Sequence, residues 1–165
     1  MDCKKIQDSA VIMSIVMLPH QANVAGNVHG GEIMKLMDNA AYVVAHRHAR
    51  ANVVTARVDE LTFHHPILVG NLVICHANLT FAGTSSMEVS VVVEVEDLYK
   101  DSSRKCALSA YFTMVALNAG GHSMKVPSLE LITEEEKIHF DEGKKRYEEH
   151  KGKVKGCRVP QYYRT

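Results

Sequence analysis

Between Ile33 and Ala45 only Lys35, Asp38 and Asn39 are plainly polar. Ile33, Leu36, Met37, Ala40 and Val44 recur at the spacing of one helical face, and Met34, Ala41 and Ala45 widen that face until most of the circumference is apolar. The pattern predicts a helix over residues 31–47 that other protein must enclose on nearly every side. The chain beyond this helix reads as β, so the enclosure has to come from strands.

Ahead of the helix, residues 10–18 form a mostly apolar strand that Pro19 ends, because proline cannot continue a hydrogen-bonded ladder. A polar, glycine-bearing loop spans 20–30. Beyond a short connection at 50–52, Val54, Ala56 and Val58 alternate with Thr55, Arg57 and Asp59. A break over 66–71 leads into a long apolar run over 72–81, and residues 83–86 form a turn. The clearest period-two signal comes next, with Met87, Val89, Val91, Val93 and Val95 on one face and Glu88, Ser90, Glu94 and Glu96 on the other. This strand has one dry side. A polar turn over 100–104 reverses the chain into a β-branched and aromatic stretch over 106–117, closed by Gly120 and Gly121. Thr133 followed by Glu136 matches a capping box, and the pairs Asp141 with Lys145 and Glu142 with Arg146 stand four apart, so the last helix reads as a solvated one. Residues 152–165 read as a loosely held tail, which leaves one domain over 1–151.

Strand, long apolar helix, then antiparallel strands with short turns describe an α+β arrangement, an antiparallel sheet wrapped around a long central helix with a C-terminal helix added. A single curled sheet leaves an edge strand unpaired and part of the helix uncovered. A second copy of the chain would satisfy both.

With 165 residues the chain can bury one sizeable core and is short for two ordinary domains. Lys plus Arg and Asp plus Glu both number 19, so no whole-chain field gathers nucleic acid or a membrane surface. No run of about 18 apolar residues occurs, so no membrane-spanning helix is expected. Asp2 and Asp8 surround the mildly apolar N-terminal run, which does not read as a signal peptide. Cys3, Cys75, Cys106 and Cys157 stand far apart with no CxxC pair, which predicts free thiols in a reducing cytoplasm. His46 and His48 face different directions on a helix, and adjacent His64 and His65 point to opposite faces of an extended segment, so no metal is expected.

Asp38 is the exception in the apolar helix, since burying a carboxylate without partners is costly. It is either a helix-edge acceptor of hydrogen bonds from a neighbouring strand or subunit, or a group that activates water or attacks a carbonyl carbon itself. Gly30 and Gly31 stand where loop turns into helix. The first N–H groups of a helix lack internal partners, and a carbonyl oxygen can approach them closely where no side chain intervenes; equally, the two glycines serve a tight entry into the helix. Asp38, near that same helix start, favours the first role. His29 is placed to brace this loop, and Thr55, on the strand after the helix, to position a water. Asn23 read alone is a turn residue.

The segment ANVAGNVHGGEIMKLMDNAAYVVAHRHAR resembles the signature of the acyl-CoA thioesterases of the cytosolic brain-type and bacterial hot-dog family. VVTARVDELTFHHPILVGNLV, the turn AGTSSMEV and the strand YFTMVAL are similar to that family in order and spacing, so the resemblance covers roughly residues 10–150. It implies a hot-dog fold and hydrolysis of fatty acyl-CoA to free fatty acid and CoA without metal or cofactor. It also implies dimers grouped into a hexamer, a trimer of dimers, with active sites between subunits. The family's catalytic aspartate falls on Asp38 and its catalytic asparagine on Asn23. One departure concerns the turn Gly83, Thr84, Ser85, Ser86, where many relatives place an arginine. Candidates to meet the CoA phosphates are then Arg47, Arg50, Arg57, Ser85, Ser86, Lys144, Lys145 and Arg146. Two other readings stay open on sequence: a non-catalytic acyl-CoA binding or sensor protein, and a hydratase or dehydratase on the same fold.

Overall fold

The computed structural model describes residues 3–100 and 103–153. The tail expected from residue 152 therefore lies largely outside the described residues, as does part of the turn at 100–104. The elements run β1 (Lys4–Lys5), β2 (Val11–Val16), α1 (Gly30–Ala49), β3 (Asn52–Phe63), β4 (Leu72–Ala82), β5 (Ser86–Glu96), β6 (Lys105–Leu117), β7 (Leu129–Glu130) and α2 (Glu134–His150), with short 3-10 turns at Ile6–Asp8 and Pro19–Gln21. The main strands and both helices come in the order read from sequence. α1 extends slightly further at each end, stopping where Arg50 turns left-handed at φ 53° and its N–H caps the His46 carbonyl.

Five strands form one antiparallel sheet in the order β2-β4-β5-β6-β3, so β2 and β3 are its edges. β1 and β7 make a separate parallel ribbon. The sheet's concave face receives α1. Ala40, Ala41 and Ala45 are fully buried and keep the helix close to the sheet, while Met37 and Val44 reach into the layer made by Leu79, Val89, Val91, Phe112 and Met114. Each such large side chain contributes about 1.5–3 kcal/mol by leaving water. No helix among the described residues is long and apolar enough to cross a membrane.

Two departures from the sequence reading come from β-bulges, which shift a strand's alternation by one residue. In β3 the pairing jumps between Thr55 and Arg57. Thr55, opposite buried Met114, faces the concave side, whereas Arg57, opposite Thr113, faces the convex side. In β4 the jump falls between Leu79 and Phe81 and sends Phe81 outward, where it sits against Phe140 and Tyr147 of α2 with ring centroids 5.1 and 5.4 Å away. α2 is thus solvated along its outer side, as its charge pattern predicts, but docked on the sheet along its inner one. Its Arg146 turns inward to grip Glu88 through two bonds of 2.9 and 3.1 Å, rather than pairing with Glu142. Glu88, read from sequence as a solvent-facing position, is 3 % exposed.

Candidate active site

α1 begins at Gly30 because His29 caps it. The His29 Nδ1 accepts the Gly31 N–H at 3.0 Å, a role that requires this nitrogen to carry no proton. Glu32 N–H returns to the His29 carbonyl at 2.9 Å. Of the two glycine donors expected from sequence, Gly31 is therefore engaged. The Gly30 N–H has no acceptor among the described residues. Open backbone is needed here, since a Cβ on Gly30 would stand 3.1 Å from the Phe63 ring.

The loop before α1 is shaped by Asn23. Its Oδ1 accepts the N–H groups of Ala25 at 2.9 Å and Asn27 at 3.2 Å, and its own N–H donates to the Asn27 carbonyl at 2.7 Å. This is the turn-forming role open to any loop asparagine. It also fixes the side chain while leaving its NH2 group without an acceptor among the described residues. Asn23, Gly30 and Phe63 share the wall of a cavity of about 230 Å³, otherwise lined largely by apolar groups such as Val28, Ile33 and Leu108.

Asp38 lies half-buried two turns further along α1. The Thr55 hydroxyl donates to its Oδ1 at 2.6 Å, with the Met114 sulfur 3.5 Å from the same hydroxyl. Oδ2 has no partner among the described residues. Met34 and Tyr42, one turn to either side on the same helical face, are exposed, as are Val58 and Phe63 across from them on β3. Asp38 thus stands in an uncovered apolar patch along the open edge of the sheet.

Within one chain these groups do not meet. Gly30 and Asp38 are eight residues apart in one helix, about 12 Å along its axis at 1.5 Å per residue. One carbonyl group cannot touch both, so the sequence reading that set Asp38 near the helix start is corrected by the helical rise. Arg57, on the convex face, is held by Asp59 at 2.6 Å and lies away from Thr55 and Asp38. Ser85 and Ser86 turn β4 into β5 beside the end of β6, the end of the molecule where α1 stops and β3 starts, opposite Gly30. Ser85 gives its carbonyl to Ala116 N–H, and Ser86 is buried. Arg47 donates to the Ala10 carbonyl. The Cys75 thiol, inside the sheet, is pushed up to about 12 by burial and is no nucleophile near neutral pH. Among the described residues no three His, Cys, Asp or Glu side chains gather into a metal-binding group.

Residues 25–101 match the family described as Thioesterase superfamily. A structure of an acyl-CoA hydrolase from Staphylococcus aureus, in complex with butyryl coenzyme A, coenzyme A and coenzyme A disulfide, superimposes with a TM-score of 0.84 at 32% identity over 92% of both chains. The chain is a hot-dog thioesterase-superfamily member. An apo-hexameric acyl-CoA thioesterase is also similar, with a TM-score of 0.87 at 30% identity, covering 93% of this chain and 98% of that one. The cytosolic acyl coenzyme A thioester hydrolase of Mus musculus is 43% identical over 144 residues, 87% of this chain. This thioesterase-superfamily chain spans only 38% of the length of that relative. Separate structures of the S. aureus protein carry alanine at an aspartate, an asparagine and a threonine. Those three positions have the same spacing in sequence as Asp38, Asn23 and Thr55 have here.

Proposed function

We propose that this protein hydrolyses fatty acyl-CoA to free fatty acid and CoA at a site shared by two copies of the chain. The observation that carries the proposal is the 2.6 Å Thr55–Asp38 bond in an uncovered apolar patch, two helical turns from the open amide donors of Gly30 and Asn23 on the same chain. Pairing two copies along β3 covers Met34, Tyr42 and Val58 and satisfies an edge strand of twelve residues. With the strands antiparallel, the Phe63 end of one chain lies near the Asn52 end of the other. The Gly30 and Asn23 loop of one copy then approaches the α1 of its partner.

In this arrangement the thioester oxygen accepts from the Gly30 N–H and the Asn23 amide, both directed at the charge that develops on it. Thr55 fixes one oxygen of Asp38, and Oδ2 either takes a proton from water as the water oxygen attacks the thioester carbon, or attacks that carbon itself to give a mixed anhydride that water then hydrolyses to the free acid and the Asp38 carboxylate. The C–S bond breaks, and the CoA thiolate leaves and is protonated. The residues require no metal or cofactor for these steps. Grouping of such dimers into a larger assembly is supported by the hexameric relative, and a trimer of dimers is the arrangement proposed here. The cytosolic name of the mouse relative supports a cytoplasmic location.

Thiol release from palmitoyl-CoA tests the activity, and Asp38→Ala is expected to lower kcat by about 100- to 10,000-fold. Co-expressing Asp38→Ala with Asn23→Ala tests the sharing. Mixed dimers regain one intact site in two, so roughly a quarter of wild-type activity returns, since half of randomly paired dimers are mixed. Activity no higher than that of either single variant would place both residues in one chain's site and refute the shared arrangement.

A further inference from the structure

The cation to meet the phosphates of CoA is not found among the arginines that the sequence offered on the sheet's convex side, because Arg57 and Arg146 are tied to carboxylates there. A lysine that the sequence reading passed over is better placed. Val93 pairs with Leu108 but Glu94 pairs with Cys106, so β6 carries Ala107 as an extra residue and Val95 comes to pair with Lys105. Directly opposed residues of an antiparallel pair present their side chains to the same face, and Val95 belongs to the core on the concave face. Lys105 is therefore turned to the concave side at the rim of the sheet. It forms no ion pair among the described residues, whereas its neighbour Arg104 is held by Glu96 at 3.0 Å.

Lys105 opens onto a trough of about 330 Å³ whose walls include His65, Pro66, Asn71 and Asp97. His65 and Pro66 are also walls of the cavity that holds Asn23 and Gly30. The two spaces meet across that dipeptide. The Asp97 carboxylate in the trough is offset by the Lys100 ammonium at 3.3 Å and accepts the Tyr99 N–H at 3.1 Å. Among the described residues the charge left uncompensated is that of Lys105.

We propose that this trough holds the diphosphate of the CoA moiety against Lys105, with the pantetheine arm crossing the His65–Pro66 ridge to the thioester at Gly30. The assignment rests on the acyl-CoA hydrolase reading and adds its phosphate subsite. A lysine ammonium is a compact, flexible point charge suited to phosphate oxygens, and the turn at 83–86 provides no cation of its own.

The test compares hydrolysis of one acyl group carried on CoA with the same group on pantetheine, which has neither nucleotide nor phosphate. Wild-type protein is expected to favour acyl-CoA in kcat/KM. Lys105→Ala lowers that preference about ten-fold, through KM, and Lys105→Arg retains it. An unchanged preference in Lys105→Ala overturns the phosphate subsite and leaves the hydrolase reading intact. Thiol release from neither substrate by the wild type overturns the hydrolase reading. Calorimetry with CoA alone then still decides on Lys105: tighter binding by wild type than by Lys105→Glu supports the subsite, and equal binding, or none by either, overturns it.

Discussion

The concave and convex faces of the sheet are both covered by a helix, and by opposite means. On the concave side α1 meets Val89, Val91 and Leu79 through apolar contact alone, with small alanines at the closest approach. On the convex side α2 is a charged helix anchored by a buried polar cluster. Glu88 accepts two bonds from Arg146 and one from Thr80 at 2.7 Å, and the Arg146 guanidinium lies 3.7 Å from the centre of the Tyr111 ring. Apolar packing tolerates error by degrees, because each lost methylene removes its own share of stability. A buried ion pair fails all at once, because either partner left alone is an unpaired charge out of water.

The largest difference between the faces should appear when one member of the pair is removed. Glu88→Ala is expected to cost about 3–5 kcal/mol, through Arg146 left unpaired under α2, read as a lowered urea midpoint. The double substitution Glu88→Leu with Arg146→Met should recover most of that loss, since an apolar pair of similar volume needs no partner charges. Leu79→Ala, on the concave side, is expected to cost about 2–5 kcal/mol, and no single second substitution should recover it. Recovery at Leu79, or none at Glu88, would erase the distinction.

A smaller effect tests how closely α2 sits. Gly143 faces the sheet, and a Cβ there would stand 2.7 Å from the Glu88 carboxylate and 2.9 Å from the Phe81 Cβ. Alanine ordinarily strengthens a helix interior by about 1 kcal/mol over glycine. Here overpacking of about 1–3 kcal/mol is expected to outweigh that gain, so Gly143→Ala should lower the melting temperature. In the Glu88→Leu, Arg146→Met background the backbone-side contact with Phe81 remains, and the penalty should shrink without vanishing.

The concave face was legible in the sequence because two different periods agree there. Met87 to Val95 alternate, Ile33 to Ala45 are apolar nearly all round, and each requires the other. The convex face was not legible. Its cover is two aromatic residues and a glycine spread along a charged helix, and its anchor is a glutamate that by pattern alone belongs in water. The bulges at Thr80 and Ala56 change which face a side chain takes, and hydropathy does not mark them. The same holds for the candidate site. Asp38 stands out as a lone acid in an apolar helix, and Thr55 reads as a residue that positions a water, but their 2.6 Å contact is visible only in the fold. The helical rise that separates Asp38 from Gly30 is available from residue count alone, and its meaning comes only with the resemblance, which implies sites between subunits. Lys105 was invisible because its direction depends on Ala107 having no partner in β5.

The smallest expected effect concerns the end of α1, where the apolar face makes one concession. His48 is fully buried, its Nε2 meets the Pro127 carbonyl at 2.8 Å, and its Nδ1 has no partner among the described residues. Burial holds its pKa below the ordinary 6.5, helped by the positive charge of Lys4 and opposed by the Pro127 bond. The unfolded chain therefore binds a proton on this residue at a pH where the folded chain does not. Its contribution to stability is complete above about pH 6.5 and is lost as the pH falls below that value, until the folded state's own lowered pKa is passed. Between pH 7 and 5, above the range where most carboxylates titrate, the melting temperature should decline. His48→Gln keeps a donor for the Pro127 carbonyl and does not titrate, so it should flatten that decline while starting from a somewhat lower value. An equally steep decline in the variant would assign the acid sensitivity to another histidine and leave α1 uniformly insensitive to protons along its buried face.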